Sequence, residues 1–335
     1  MPALGAPAAD FASRLTKLRI GVLRNPGSGA NLTAAAPMRR LLDAHPDLPC
    51  RNVFDPASVT AALREMAERG IDTIAISGGD GTVNAVLNSV FGRSPFPRVP
   101  LLAVLRGGTA NMTARDIGMR GRQERALRAL LDCASHGGAG LTVVERPVMR
   151  IDPGAGREPI YGMFFGAAAI TQGIEYCKRE VHALGLRGEI GPAVTMVRFI
   201  IAMARGERTI VAPVPITVAV DEEAPASFAC EIVHVTTLEQ LVLGLRPFWG
   251  KESAPLHYAS VRAAPRHWIK ALPGLLRGRP NRYITSANGY ESRNAHRLRL
   301  GLDSAFFVDG EIFSPTPGTP LALSDGGSAG FIQLR

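Results

Sequence analysis

Thr73-Ile74-Ala75-Ile76-Ser77-Gly78-Gly79-Asp80-Gly81-Thr82-Val83-Asn84-Ala85-Val86-Leu87 is the stretch from which the fold is read. Thr73 to Ile76 are β-branched or apolar and read as a short buried strand. Three glycines and an aspartate follow within Gly78–Thr82, and Val83, Val86 and Leu87 then recur at helical spacing. A strand, a glycine turn and a helix together aim backbone N–H groups and a helix dipole at an anion. Glycine suits such a turn because no Cβ keeps a phosphate away. Ser77, Gly78, Gly79, Asp80, Gly81 and Thr82 are therefore candidate nucleotide contacts, against the plainer reading of an ordinary strand-to-helix turn. Asp80 either holds magnesium or orients a nucleotide, or it caps the helix that it opens. The turn is not a Walker loop, since no Lys follows a glycine pair. Nor is it a dinucleotide fingerprint, since Asn84 stands where the third glycine belongs.

The same design recurs on either side. Leu18 to Leu23 reads as a strand running into Arg24-Asn25-Pro26-Gly27-Ser28-Gly29, where Asn25 and Ser28 are candidate contacts and Asn-Pro-Gly is also a strong turn by itself. Val99 to Leu105 is a strand that ends in Arg106-Gly107-Gly108-Thr109-Ala110-Asn111, with Thr109 and Asn111 as candidates. Helices are expected over 34–42, 58–69 and 123–133. Strand and helix alternate over residues 18–140, which argues for a parallel α/β domain whose ligand lies at the carboxyl edge of the sheet. After Leu141 the pattern changes to short apolar segments broken by Gly and Pro, among them 143–144, 148–151, 161–169, 210–220 and 232–236, as expected of antiparallel β structure. One helix, about 193–205, interrupts them, and Val194, Val197, Ile200, Ile201 and Ala204 read as core rather than membrane anchor. Residues 1–16 read as a loose end.

The chain has 335 residues, room for two domains, and a 46% apolar, 20% charged composition that describes a globular protein. No apolar run approaches the ~20 residues of a membrane span, and no secretory signal is recognisable at the N-terminus. The four widely spaced cysteines suggest neither disulfides nor zinc, and fit a reducing cytoplasm. A formal charge of +9 concentrates late: Arg262, Arg266, Lys270, Arg277, Arg279, Arg282, Arg293, Arg297 and Arg299 face one acid, Glu291. A solvated face, anionic lipid and nucleic acid all fit that run. Trp268, Ile269, Leu272, Leu275 and Leu276 among these cations could dip into an interface, although Pro273 weakens the helix.

Four separated pieces together resemble the diacylglycerol kinase catalytic family, which includes sphingosine and ceramide kinases: Asn25-Pro26-Gly27-Ser28-Gly29, Gly78–Thr82, Gly108-Thr109-Ala110-Asn111, and Asp309-Gly310-Glu311. The resemblance spans essentially the whole chain. It implies an N-terminal parallel-sheet α/β nucleotide domain over 17–142, joined by a C-terminal return over 315–335, and an antiparallel β-sandwich lipid domain over 143–314. It implies ATP and Mg2+ as cofactors, and Glu311 as the base that accepts the proton of a lipid hydroxyl. Asp309 and Gly310 would lie at the substrate; Asp-Gly is also a strong hairpin signal without that likeness. The partners implied are a lipid substrate and an anionic membrane met through 262–299, not nucleic acid, with the protein peripheral to the cytoplasmic membrane face. The chain departs from the family pattern at Met112, where Asp is usual, at Arg106, where Pro is usual, and at Glu145, where Asp is usual. A Thr expected near Val53-Phe54 is missing. The usual Pro-x-Ala and Asp-Gly of the second domain is replaced by Gly244-Leu245-Arg246-Pro247-Phe248-Trp249-Gly250-Lys251, so no magnesium ligand is assigned there. NAD kinase-like phosphorylation of a soluble substrate, or a non-catalytic nucleotide- or lipid-binding module, are the alternative functions.

Overall fold

A computed structural model describes residues 13–33, 35–108, 111–177, 179 and 190–334. The chain forms two compact units, Met1–Val148 with Gly326–Arg335, and Met149–Asp325.

The first unit holds the parallel strands β1 (Ile20–Arg24), β2 (Cys50–Asn52), β3 (Thr73–Gly78) and β4 (Leu101–Arg106), in the spatial order β4-β3-β1-β2. Helices α1 (Gly29–Thr33), α2 (Ala35–Asp43), α3 (Pro56–Glu68), α4 (Asp80–Leu87), α5 (Met112–Asp116) and α6 (Gln123–Ser135) connect and cover them. Every residue of β3 is buried, as expected of a central parallel strand with helices on both faces. One face packs Val22, Ala75, Ala103 and Leu105 against Met38, Leu41, Leu127 and Leu130 of α2 and α6. Asp55 starts α3 with a capping box: its carboxylate accepts from Ser58 N at 2.7 Å, and Ser58 Oγ accepts from Asp55 N at 3.1 Å. This is the parallel α/β fold that the alternation of strand and helix predicts.

β5 (Leu141–Asp152) carries the chain into the second unit and β15 (Leu321–Leu334) brings it back, where Phe331 pairs in parallel with Leu102 of β4. Between them run β6 (Ile160–Gly162), β7 (Phe164–Ala168), α7 (Ala169–Tyr176), α8 (Ile190–Arg205), β8 (Val214–Val220), β9 (Ala226–Thr236), β10 (Leu256–Arg262), α9 (Trp268–Arg277), β11 (Tyr290–Ala295), β12 (Arg297–Gly301), β13 (Phe306–Val308) and β14 (Glu311–Phe313). Their pairings are antiparallel, and Phe165, Val218, Val235, Tyr258, Leu298, Phe306 and Leu323 share one apolar core, the β-sandwich expected.

Three details differ from the sequence reading. β8 starts at Val214 rather than 210, because Ile210 N and Val211 N donate to the Glu207 carbonyl and the Ala212 backbone bonds the Gln172 side chain instead of a strand. α8 is not core all round: Phe199 and Ala202 are buried, but Val194, Val197 and Ile201 are 41%, 54% and 39% exposed, and Ala204 also faces out. α9 runs through Pro273. The carbonyl deprived of its donor there is that of Ile269, whose residue is exposed, so solvent can satisfy it. The same helix turns Trp268 inward, with Nε1 donating to the Ile200 carbonyl at 3.2 Å, and leaves Ile269 outside.

His234 of β9 is buried, stacks on Phe164, and has an Nε2 with no partner among the described residues. Burial, helped by the positive charge of His257, pushes its pKa from 6.5 down to about 4. Between those values the unfolded chain binds a proton that the native one refuses. Stability is therefore expected to fall as pH drops from about 6.5 to about 4, by up to about 3 kcal/mol, and this residue adds no slope above neutrality. Urea titrations across that range should show the slope in the wild type and lose it in His234→Leu; an unchanged slope would assign it to other groups.

Candidate active site

The site is built where β1, β3 and β4 of the first unit end. The turns after β3 and β4 pack backbone on backbone: Gly107 N donates to the Gly78 carbonyl at 3.1 Å. A Cβ on Gly108 would sit 2.5 Å from the Gly79 Cα, and one on Gly107 would sit 2.7 Å from both Gly78 N and O. No other residue fits, which accounts for paired glycines in both turns. Thr82 closes over Gly78, and its Oγ1 accepts from Asn25 Nδ2 at 3.0 Å, so the first turn is tied to the second.

Asn25 also shapes its own turn, accepting from Gly27 N at 3.0 Å, while Ser28 Oγ donates to the Asn25 carbonyl at 3.0 Å. Asn111 takes the left-handed conformation (φ 47°) and clamps Gly108 from both ends: its Oδ1 accepts from Gly108 N at 2.8 Å and its Nδ2 donates to Gly108 O at 2.7 Å. Thr109 lies outside the described residues.

Asp80 does not take the role of capping α4; Gly79 is the N-cap there. Its carboxylate reaches instead to the next turn, with Oδ2 accepting from Met112 N at 3.1 Å and Oδ1 from Thr113 N at 3.0 Å. It caps α5, 32 residues away. Burial pushes its pKa above the ordinary carboxylate range, against the opposing pull of the Thr113 and Met112 N–H groups. Each oxygen keeps a lone pair, so a cation arriving there would offset the cost of burying the anion.

Ser77 corrects its expected role as a nucleotide contact. Its hydroxyl is fully enclosed, donating to Gln123 Oε1 at 2.6 Å and accepting from Asn31 Nδ2 at 3.2 Å. Asn31 in turn bonds the carbonyls of Asn25 (2.7 Å) and Ser77 (2.9 Å), and Gln123 Nε2 donates to Asn31 Oδ1 at 2.8 Å. This buried network fixes the first two turns from behind. Sequence reasoning missed Asn31 and Gln123. Their only local signal is an amide at a helix start, too common to single out.

In the second unit, Asp309-Gly310 is a two-residue hairpin joining β13 to β14, with Val308 opposite Glu311. Both central residues have positive φ, 42° and 111°, as a type I′ turn requires. Asp309 is 1% exposed, and its carboxylate accepts from Met163 N at 2.6 Å and Phe164 N at 2.9 Å. That geometry makes it a positioning residue rather than a group facing substrate. Glu311, next but one, is exposed and pairs with no described residue.

Both glycine turns lie inside residues 19–138, the segment that matches the family model of the diacylglycerol kinase catalytic domain. Over those residues the chain is similar to diacylglycerol kinase catalytic domains. A diacylglycerol kinase of Bacillus subtilis (strain 168) is 32% identical over 104 residues, 30% of this chain. The chain spans 33% of that curated relative's length. Among solved structures, a diacylglycerol kinase of Bacillus anthracis str. Sterne aligns over 94% of this chain and 96% of its own, with a TM-score of 0.58 and 17% identity. A second structure from that organism covers 95% and 97%, with a TM-score of 0.63 and 18% identity. At those identities the structures establish the diacylglycerol kinase-like fold alone.

Proposed function

We propose that this chain is an ATP-dependent lipid kinase that transfers the γ-phosphate to a hydroxyl of a diacylglycerol-, ceramide- or sphingoid-type lipid. The observation that carries the reading is the direct packing of the two glycine turns inside the matched segment. In this reading the first unit is the ATP-binding domain and the second the lipid domain. Asn25, Ser28, Gly78, Gly79, Gly81, Thr82, Thr109 and Asn111 form the nucleotide side, where bare backbone N–H groups meet phosphate oxygens. Ser77 holds that turn from behind.

Phosphoryl transfer needs positioning, charge neutralisation and a carboxylate for the substrate proton. Glu311 is free to be that base. It takes the proton of the lipid hydroxyl as the new O–P bond forms and the bond from the γ-phosphorus to the bridging oxygen breaks, with ADP leaving. Asp309 and Gly310 hold the turn from which Glu311 projects. Among the described residues no cluster of three His, Cys, Asp or Glu could hold a metal. Asp80 alone fits magnesium, since this ion is commonly bound by one or two carboxylates plus substrate phosphates. When bound it would neutralise phosphate charge.

The second unit also supports a membrane partner. Arg266, Lys270, Arg277, Arg279 and Arg282 are exposed on and beside α9, and each cation near an anionic surface is worth about 1 kcal/mol. Arg293 adds nothing to that attraction, because Glu223 already pairs it at 2.6 Å. Val194, Val197, Ile201 and Ile269 supply exposed apolar contacts. No helix among the described residues is long and apolar enough to cross a membrane. A peripheral enzyme at the cytoplasmic membrane face, with no nucleic-acid partner, follows from this reading.

The test is transfer of labelled γ-phosphate from ATP into vesicles carrying diacylglycerol, ceramide, sphingosine or monoacylglycerol, with soluble NAD as control. Label in one lipid names the acceptor. Label in NAD alone, or in nothing while ATP still binds, overturns the reading.

A further inference from the structure

Arg24 and Arg106 are the last residues of β1 and β4, and they flank the end of β3: Arg24 stands opposite Ser77 and Arg106 opposite Gly78. Their Cα atoms are thus two strand spacings apart, about 10 Å. Both residues are half-buried, and the Nε of each is enclosed with no partner. Among the described residues, neither guanidinium makes a hydrogen bond or an ion pair. Elsewhere in the same unit, partly buried arginines are neutralised: Arg146 pairs with Asp116 at 3.2 Å, and Arg51 with Glu65. Asp80, the acid of the central turn, is committed to Met112 N and Thr113 N. Two cations therefore stand at the carboxyl edge of the sheet with no acid matched to them.

Enclosing a guanidinium N–H without an acceptor costs free energy, which a ligand rich in acceptors recovers. Strand alternation sends the two side chains out on opposite faces, since Arg24 shares the face of Ser77 and Arg106 that of Gly78. The two residues thus flank, one on each face, the strand end that leads into the bare Gly78 and Gly79 backbone. The guanidinium fork matches phosphate oxygens, and its charge survives at any working pH.

We propose that Arg24 and Arg106 form an anion clamp for the polyphosphate of the bound nucleotide, donating to its oxygens from opposite sides of the β3 end. That the polyphosphate belongs to ATP rests on the kinase reading; the clamp itself requires only a polyphosphate. Calorimetric titration of adenosine, ADP, ATP and inorganic tripolyphosphate into the wild type, Arg24→Gln, Arg106→Gln and the two Arg→Lys variants tests it. Each Gln variant is expected to lose about 10- to 100-fold in affinity for ATP and tripolyphosphate, with adenosine unchanged. Lys, which keeps the charge without the fork, should recover part of the loss. Wild-type tripolyphosphate affinity in both Gln variants overturns the clamp, as does an equal loss for adenosine. A wild type that binds tripolyphosphate but not ATP leaves the clamp standing and overturns the kinase reading; one that binds neither overturns the clamp. Thermal melts accompany each variant, and if a Gln variant fails to fold, the Lys variants carry the same comparison with a several-fold loss expected.

Discussion

Glu311→Gln is expected to lower the turnover of phosphoryl transfer by about 10²- to 10⁴-fold, the range over which a positioned proton acceptor contributes. The substitution keeps shape and removes the ability to take a proton. The Glu311 carboxylate pairs with no described residue, so none of the described contacts depends on its charge. ATP affinity and the melting temperature should therefore stay at wild-type values, and the loss should appear in kcat. Its neighbour makes the contrast. Asp309→Ala strips the acceptor from two buried N–H groups, Met163 and Phe164, at about 1–3 kcal/mol each, and puts alanine at a φ of 42°. Asp309→Ala should lose stability in a urea titration, and lose activity only as the folded fraction falls. Two acids two positions apart thus separate into a chemical and a structural effect. Full turnover by Glu311→Gln would remove it as the base, and an unshifted urea midpoint for Asp309→Ala would remove the positioning role.

The parts legible in the sequence are those whose physical cause is local. Gly78-Gly79 and Gly107-Gly108 announce close backbone approach because no other residue allows it, and β-branched runs before them announce buried parallel strands. Asp309-Gly310 announces a type I′ hairpin for the same reason. What the sequence hides is where a side chain finds its partner. Asp80 reads either as a magnesium or nucleotide group or as the cap of the helix it begins, and nothing local shows that its acceptors serve a helix 32 residues on. Asp309 reads as a substrate contact by resemblance or as a turn residue, and its carboxylate is spent on backbone 146 residues away. Helix faces are hidden likewise: Val194, Val197 and Ile201 look like core by composition, but it is Phe199 and Ala202 that α8 buries, against Ala169 and Val211. Arg24 and Arg106 read as the first residues of turns, and only the strand order places them on either side of β3.

Asp80→Ala tests whether the two glycine turns act as one device. The carboxylate is the link through which the first turn holds the second, accepting from Met112 N and Thr113 N. Alanine leaves both donors unmatched and loosens the Asn111–Met112 corner, whose left-handed Asn111 keeps its bonds to Gly108 and to Arg115 N. At about 1.5–3 kcal/mol for each hydrogen bond to a charged acceptor, the loss is a few kcal/mol confined to the turns. It should appear as a drop in ATP affinity of about 100-fold or more, larger than the fall in global stability, because sheet and helices keep their own contacts. Asp80→Asn discriminates between the two roles this acid could play. Its single carbonyl oxygen can still serve one N–H, so a purely structural role predicts an intermediate affinity that does not depend on magnesium. A role in holding the ion predicts that Asp80→Asn binds ATP as weakly as Asp80→Ala when magnesium is present, and that the difference between the two variants returns when the metal is chelated. Unchanged ATP affinity and turnover in Asp80→Ala would mean that neither glycine turn meets the nucleotide.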